Sequence, residues 1–121
     1  MPDRLRTEAE LAAAFAAERF LLFKHSTTCG ISAAAFRAYE RFASAHPELA
    51  TGWLDVVAER PLARAVAERT GIRHESPQAF LLVAGEARWS AAHGAITEKS
   101  LAAAFAEPAA QPKTTQPKTT R

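Results

Sequence analysis

Cys29 is the only cysteine in 121 residues, and it stands in the stretch FKHSTTCGIS, Phe23 to Ser32. A thiolate attacks disulfides, and the mixed disulfide it forms needs another thiol to release it. Three positions on, where a dithiol site carries its second cysteine, the chain holds Ser32. Any exchange at Cys29 must therefore be completed by a thiol from outside the chain. Thr27, Thr28 and Ser32 are the hydroxyl donors expected near the sulfur, and Gly30 leaves the backbone beside it clear for an incoming disulfide. The alternative is a packed, inert residue, since free cysteines are commonly buried. The polar run HSTTCG is not a core sequence, which favours a reactive thiol.

The four histidines are His25, His46, His74 and His93. No two have the spacing that places metal ligands on one helix face, and one cysteine makes no zinc set, so no metal site is expected. His25 has two open readings: beside Cys29, stabilising the thiolate, or at a strand end pointing away. Asp55 reads better as a strand-end polar residue than as a proton acceptor below the cysteine.

These residues have to be positioned by the elements around them. Thr7 to Glu10 reads T-x-x-E, a capping box, and Leu11 and Phe15 follow at helical spacing. This predicts a helix over 8–18. RFLLFKHS is a continuous apolar run of strand length, as in a strand covered on both faces. ISAAAFRAYERFASAH is helical, with Ile31, Ala35, Ala38 and Phe42 on one stripe. TGWLDVV is a second strand. Pro61 opens a helix, where its missing N–H costs nothing, and Gly71 ends it. IRHESPQ is a loop. AFLLVAGEARWSA reads as an antiparallel hairpin with Gly85 and Glu86 at its tip. Thr97 caps a last helix anchored by Leu101 and Phe105.

The order is α-β-α-β-α-β-β-α. A helix joining the first two strands makes them parallel with a right-handed crossover, and the hairpin completes the sheet. The fold class is α/β, a mixed central four-stranded sheet flanked by helices on both faces, which is the thioredoxin-like architecture. Cys29 then falls between a buried strand and a helix start. Free N–H groups and the helix dipole favour negative charge there. In such a fold the loop containing Ser76 and Pro77 sits beside the cysteine, with its X-Pro bond cis and the Ser76 backbone free to pair with an extended substrate. Pro77 alone would be an ordinary strand-leading proline, because cis is found in only about 5–6% of X-Pro bonds in folded proteins.

Composition limits the rest. The chain has 48% hydrophobic and 23% charged residues, as a globular domain does. A pI near 9.0 points to nucleic acid until the charge is located. The last fourteen residues hold three basic groups and no acidic one. Without them the chain carries 12 Lys and Arg against 13 Asp and Glu, and no basic cluster interleaves with aromatics. Residues 1–107 are expected to form one domain. Residues 108–121, with QPKTT at 111–115 and 116–120, are expected to be a disordered basic tail. FLLF is far too short to span a membrane, and MPDRLRTEAEL lacks the apolar core of a secretory signal. A cytoplasmic monomer is expected.

FKHSTTCGIS, together with DVVAERPLARAVAERTGIRHESPQAFLLVAGEARWSAAHGAIT, resembles the YtxJ-type monothiol bacilliredoxins. The likeness runs from about Phe20 to Phe105 and includes H-S-T-x-C, R-P-L, R-H-E-S-P-Q and W-x-A-x-H-x-x-I-T. It implies a thioredoxin-like thiol-disulfide oxidoreductase that acts on mixed disulfides between protein cysteines and bacillithiol, a glucosaminyl-malate thiol. It implies Cys29 as nucleophile, with Thr28, Gly30, Ser32 and His25 in support. Thr27, Ser76 and Pro77 would line the thiol groove, and Arg73, His74 and His93 are candidates for the anionic malate on charge grounds. Bacillithiol would be co-substrate, bacillithiolated client proteins the partners, and no cofactor would be tightly bound. The competing likeness is in CGIS, one residue from the C-G-F-S of monothiol glutaredoxins, which carry a bridging [2Fe–2S] cluster with glutathione. A non-catalytic thioredoxin-like interaction module is the third reading.

Overall fold

The structure, a computed structural model, describes residues 3–106. The tail and the expected boundary at residues 107 and 108 lie outside the described residues.

The capping box forms. Thr7 Oγ1 accepts from the Glu10 N–H and Glu10 Oε1 from the Thr7 N–H, each at 3.1 Å, which satisfies two N–H groups that helix geometry leaves unpaired. Helix α1 runs Glu8–Ala16, two residues short of its predicted end. The Glu18 carbonyl instead accepts from the Ala84 N–H at 2.9 Å, tying the chain to the hairpin. Strand β2 (Arg19–His25) follows, then α2 (Gly30–Ala45), β3 (Thr51–Asp55) and α3 (Arg60–Thr70). Pro61 sits in the first turn of α3, and Gly71 ends it at φ 73°, ψ 11°, the left-handed conformation a helix C-terminus favours. Strands β4 (Gln78–Val83) and β5 (Glu86–Ala92), a 3₁₀ turn at His93–Ala95 and α4 (Glu98–Ala106) complete the fold.

The sheet is mixed, as expected, and has one strand more than the four predicted. Asp3–Arg4 forms a two-residue strand, β1, parallel to β3 at the sheet edge. The strand order is β1-β3-β2-β4-β5. β2 pairs parallel with β3 and antiparallel with β4. β2 is therefore central and covered on both faces. Leu22 packs with Leu11, Phe15, Leu62 and Val66 of α1 and α3. Leu21 and Phe23 pack with Ala35, Tyr39, Phe42 and Leu101 of α2 and α4.

Two local expectations change. Ile31, placed on the buried stripe of α2, is 57% exposed. The buried positions are Ser32, Ala35, Ala38, Tyr39, Phe42 and Ala43, because the helix start turns its first apolar side chain toward solvent. The hairpin tip is Ala84–Gly85 rather than Gly85–Glu86. Both central residues have positive φ, 52° and 83°, as a two-residue hairpin turn requires. A Cβ on Gly85 would lie 2.8 Å from the Phe15 carbonyl oxygen, so no other residue fits there without movement.

Candidate active site

Strand β2 and helix α2 are joined by Ser26 to Cys29, and this turn is built from short-range bonds. Cys29 is the N-cap of α2, with extended backbone at φ −120°, ψ 126°. Its N–H donates to the Ser26 carbonyl at 3.3 Å, and its carbonyl accepts from Ala33 N–H at 3.1 Å. The thiol is half-buried. It makes no capping bond into the first turn of α2. A Cβ on Gly30 would meet nothing within 4 Å, so the space beside the thiol is open.

Ser32, expected among the hydroxyl donors near the sulfur, is fully buried at 0% exposure. Its Oγ accepts from the Ser26 N–H at 2.8 Å and lies 2.8 Å from His25 Nδ1. The serine thus ties the strand end to the helix start from below. His25 is buried beside it, stacked on Phe36 at 4.2 Å between centroids and edge-on to Trp53 at 5.5 Å. Burial lowers its pKa from the ordinary histidine value, against the opposing pull of Asp55, so the neutral ring is favoured. This histidine braces the turn through Ser32 and brings no full positive charge to it at neutral pH.

Thr27 and Thr28 are exposed. Thr27 Oγ1 donates to Asp55 Oδ2 at 3.3 Å, and Thr28 Oγ1 lies 3.3 Å from Ser26 Oγ. Asp55 takes the strand-end role expected of it. Its Oδ1 accepts from Val57 and Ala58 N–H at 2.9 and 3.3 Å, and Arg4 approaches Oδ2 at 3.7 Å.

The loop from Ile72 to Pro77 arrives from the other side. Lys24 of β2 is the register partner of Gln78, so Pro77, one step back along β4, falls level with the end of β2. The Ser76–Pro77 bond is cis. Pro77 is fully buried and Ser76 half-buried. Arg73, His74 and His93 are exposed. The His93 N–H donates to the Pro77 carbonyl at 3.0 Å, and its Nε2 lies 3.5 Å from Glu75 Oε1. His74 has its pKa lowered by loss of water and by the charges of Lys24 and Arg60, with Glu75 opposing.

Three residues of this region have no part in the sequence-based site. Lys24 is a fully buried lysine, at 0% exposure. Its Nζ donates to Gln78 Oε1 at 3.0 Å. The same Oε1 accepts from the Glu75 N–H at 3.1 Å, and Gln78 Nε2 donates to the Arg73 carbonyl at 3.1 Å. One signal was available: a lysine inside the apolar run FLLFKH, on a strand read as covered on both faces.

Among the described residues no group of three or more His, Cys, Asp or Glu could hold a metal ion, and no helix is long and apolar enough to cross a membrane. A family model described as monothiol bacilliredoxin BrxC matches residues 3–101. The chain belongs to the monothiol bacilliredoxin family. Among solved structures it is similar to a protein provisionally described as an oxidoreductase with a thioredoxin fold. That match has 34% identity and a TM-score of 0.80, covering 86% of this chain and 93% of that one. The thioredoxin of Malassezia sympodialis aligns at 16% identity and TM-score 0.73, over 91% and 92% of the two chains. A variant of the thioredoxin of Halobacterium salinarum aligns at 23% and 0.66, over 83% of each. The last two show the fold alone. Family and fold together make this bacilliredoxin a thiol redox protein.

Proposed function

We propose that this bacilliredoxin removes bacillithiol from protein mixed disulfides by a monothiol route. The observation that carries the reading is a half-buried cysteine at the start of α2, unbonded to the helix, in a family member with no second cysteine. The Cys29 thiolate attacks the bacillithiol sulfur of the client disulfide. A bond forms between Cys29 Sγ and that sulfur, and the bond to the client sulfur breaks. The electron pair leaves on the client thiolate, which takes a proton from water. A second bacillithiol thiolate then attacks the bacillithiol sulfur held on Cys29. Bacillithiol disulfide leaves, and the Cys29 thiolate is restored.

Thr27 and Ser76 border the groove in this reading, and the fully buried Pro77 backs it. Arg73, His74 and His93 face solvent, where they are available to the malate carboxylates. Ile31 and Val57, 57% and 50% exposed, lie two residues beyond Cys29 and Asp55. They offer apolar contact to the client chain, while Thr28 and Gly30 leave the sulfur approachable.

The test is release of bacillithiol from a bacillithiolated client protein, comparing wild type with Cys29→Ser. Wild type should free the client thiol and gain the mass of one bacillithiol at Cys29, and the variant should do neither. Equal rates would sink the proposal. A purified protein that is brown and absorbs visible light would favour a cluster carrier instead.

A further inference from the structure

A strand interior that carries an ammonium group needs a reason. Lys24 lies on the face of β2 that packs on α1 and α3, above the Phe80 ring at 5.7 Å. Burial pushes its pKa down from 10.5 to about 8, with the nearby Glu75 carboxylate partly opposing. At neutral pH it remains mostly charged, and a buried charge is costly unless paired. Its hydrogen-bond acceptor is the side-chain carbonyl of Gln78. That carbonyl also receives the Glu75 N–H, while the Gln78 amide holds the Arg73 carbonyl. One side chain therefore grips the loop at two points, two residues apart, immediately before Ser76 and Pro77. Lys24 orients that side chain, because an ammonium donor fixes which end of the amide is the carbonyl.

We propose that Lys24 and Gln78 form a buried brace that sets the Arg73–Pro77 loop at its working distance from Cys29, which makes both of them positioning residues for thiol exchange. The inference rests on the reading that this loop borders the thiol groove. Both side chains are buried, at 0% and 3% exposure, so neither is placed to grip a client. Their effect passes through the loop backbone to the place where the mixed disulfide lies. Lys24 and His25 follow each other on β2, so one strand end fixes both sides of the groove: His25 through Ser32, and Lys24 through Gln78.

The test uses the full chain as wild type, Lys24→Met, Gln78→Leu and Gln78→Glu. Amide hydrogen exchange of Glu75 reads the brace directly, without activity. It should quicken roughly tenfold in Gln78→Leu, corresponding to one lost hydrogen bond, and by less in Lys24→Met. Gln78→Glu retains the acceptor for Lys24 and Glu75, so it should recover most of the protection at Glu75. With a bacillithiolated peptide as substrate, Gln78→Leu should raise KM several-fold with a smaller fall in kcat. Lys24→Met should follow in the same direction while its Tm is higher, a combination that loss of folded protein cannot produce. Wild-type exchange rates at Glu75 in both Lys24→Met and Gln78→Leu would overturn the brace. So would activity that falls only in step with Tm. Turnover by wild type that does not depend on Cys29 would overturn the functional reading instead, and the Glu75 amide would still decide the brace.

Discussion

His25 and Lys24 are consecutive residues of β2, both buried and both nitrogen bases, yet the two faces of the sheet treat them differently. His25 enters an aromatic pocket of Phe36 and Trp53 with a hydroxyl in reach. It can lose its charge there and keep its hydrogen bond, because neutral imidazole has both a donor and an acceptor. Lys24 enters an aliphatic and phenyl environment. It stays mostly charged at neutral pH, and its bond to Gln78 offsets only part of the cost. The first face removes a charge beside Ser32, and the second retains one beside Gln78. A buried titratable group at such a site is thus understood from what it can do once desolvated rather than from its depth.

The largest test of this contrast is a pH scan of stability. The Lys24 pKa is lowered from 10.5 to about 8 in the folded state. Between those values the unfolded chain binds more protons, so stability rises with pH across that window, by up to about 3 kcal/mol. Lys24→Met should abolish that rise and be about 2 kcal/mol more stable than wild type at pH 7. Comparing the two proteins in denaturant cancels the contribution of Tyr39. Burial raises the Tyr39 pKa, which makes stability fall as pH climbs above 10. If the two curves run parallel from pH 8 to 10.5, the lysine is not desolvated as described.

Next in size is Ser32→Ala, which leaves the Ser26 N–H without its acceptor. It should cost about 2 kcal/mol in urea unfolding while Cys29-dependent exchange persists, because Ser32 supports the turn and does not resolve the disulfide. Complete loss of exchange in a folded Ser32→Ala protein would contradict this role.

His25→Phe should cost about 1 kcal/mol for the lost hydrogen bond and retain the stack on Phe36. The folded pKa of His25 lies below 6.5, so stability falls as pH drops through and below that value. The variant should lose the His25 share of that dependence, while His74, whose pKa is also lowered, keeps its own, and it should leave the pH 8 to 10.5 window untouched. A scan in which both windows respond to one substitution would merge the two faces into one coupled unit.

The smallest change is expected at Gly30. Gly30→Ala should shift stability by less than about 1 kcal/mol, since alanine suits a helix better and the space is free. It should slow exchange with a folded client more than with a short peptide, and equal slowing would mean that Gly30 does not govern access.

Much of this was legible in the sequence. The capping box, Pro61 and Gly71 each mark a helix boundary through local chemistry, and each boundary stands where it was read. Cys29 at a helix start follows from the change of period between RFLLFKH and ISAAAFRAYERF. β1 was not legible, because two residues have no periodicity. Asp3–Arg4 is a strand only because β3 offers an edge to pair with. Ile31 was misread because a helical stripe says which residues share a face but not where the first turn emerges from the protein. Ser32 reads as a hydroxyl donor near the sulfur until its partners, Ser26 and His25, are seen to close around it. The Gln78 grip on the loop depends on the register of β2 against β4, and side-chain pattern alone does not set a register between strands covered on both faces.

Lys24 and Gln78 stand directly opposite on neighbouring strands. A slip of one residue in either strand would send that strand's side chain to the other face of the sheet and part the pair, so the separation of thiol turn and proline loop cannot drift in small steps. On the proposed function, an arriving disulfide would meet a groove whose width was settled when the protein folded. Little ordering is left for the encounter itself, and the rate of capture then reports how often a client collides in the right orientation.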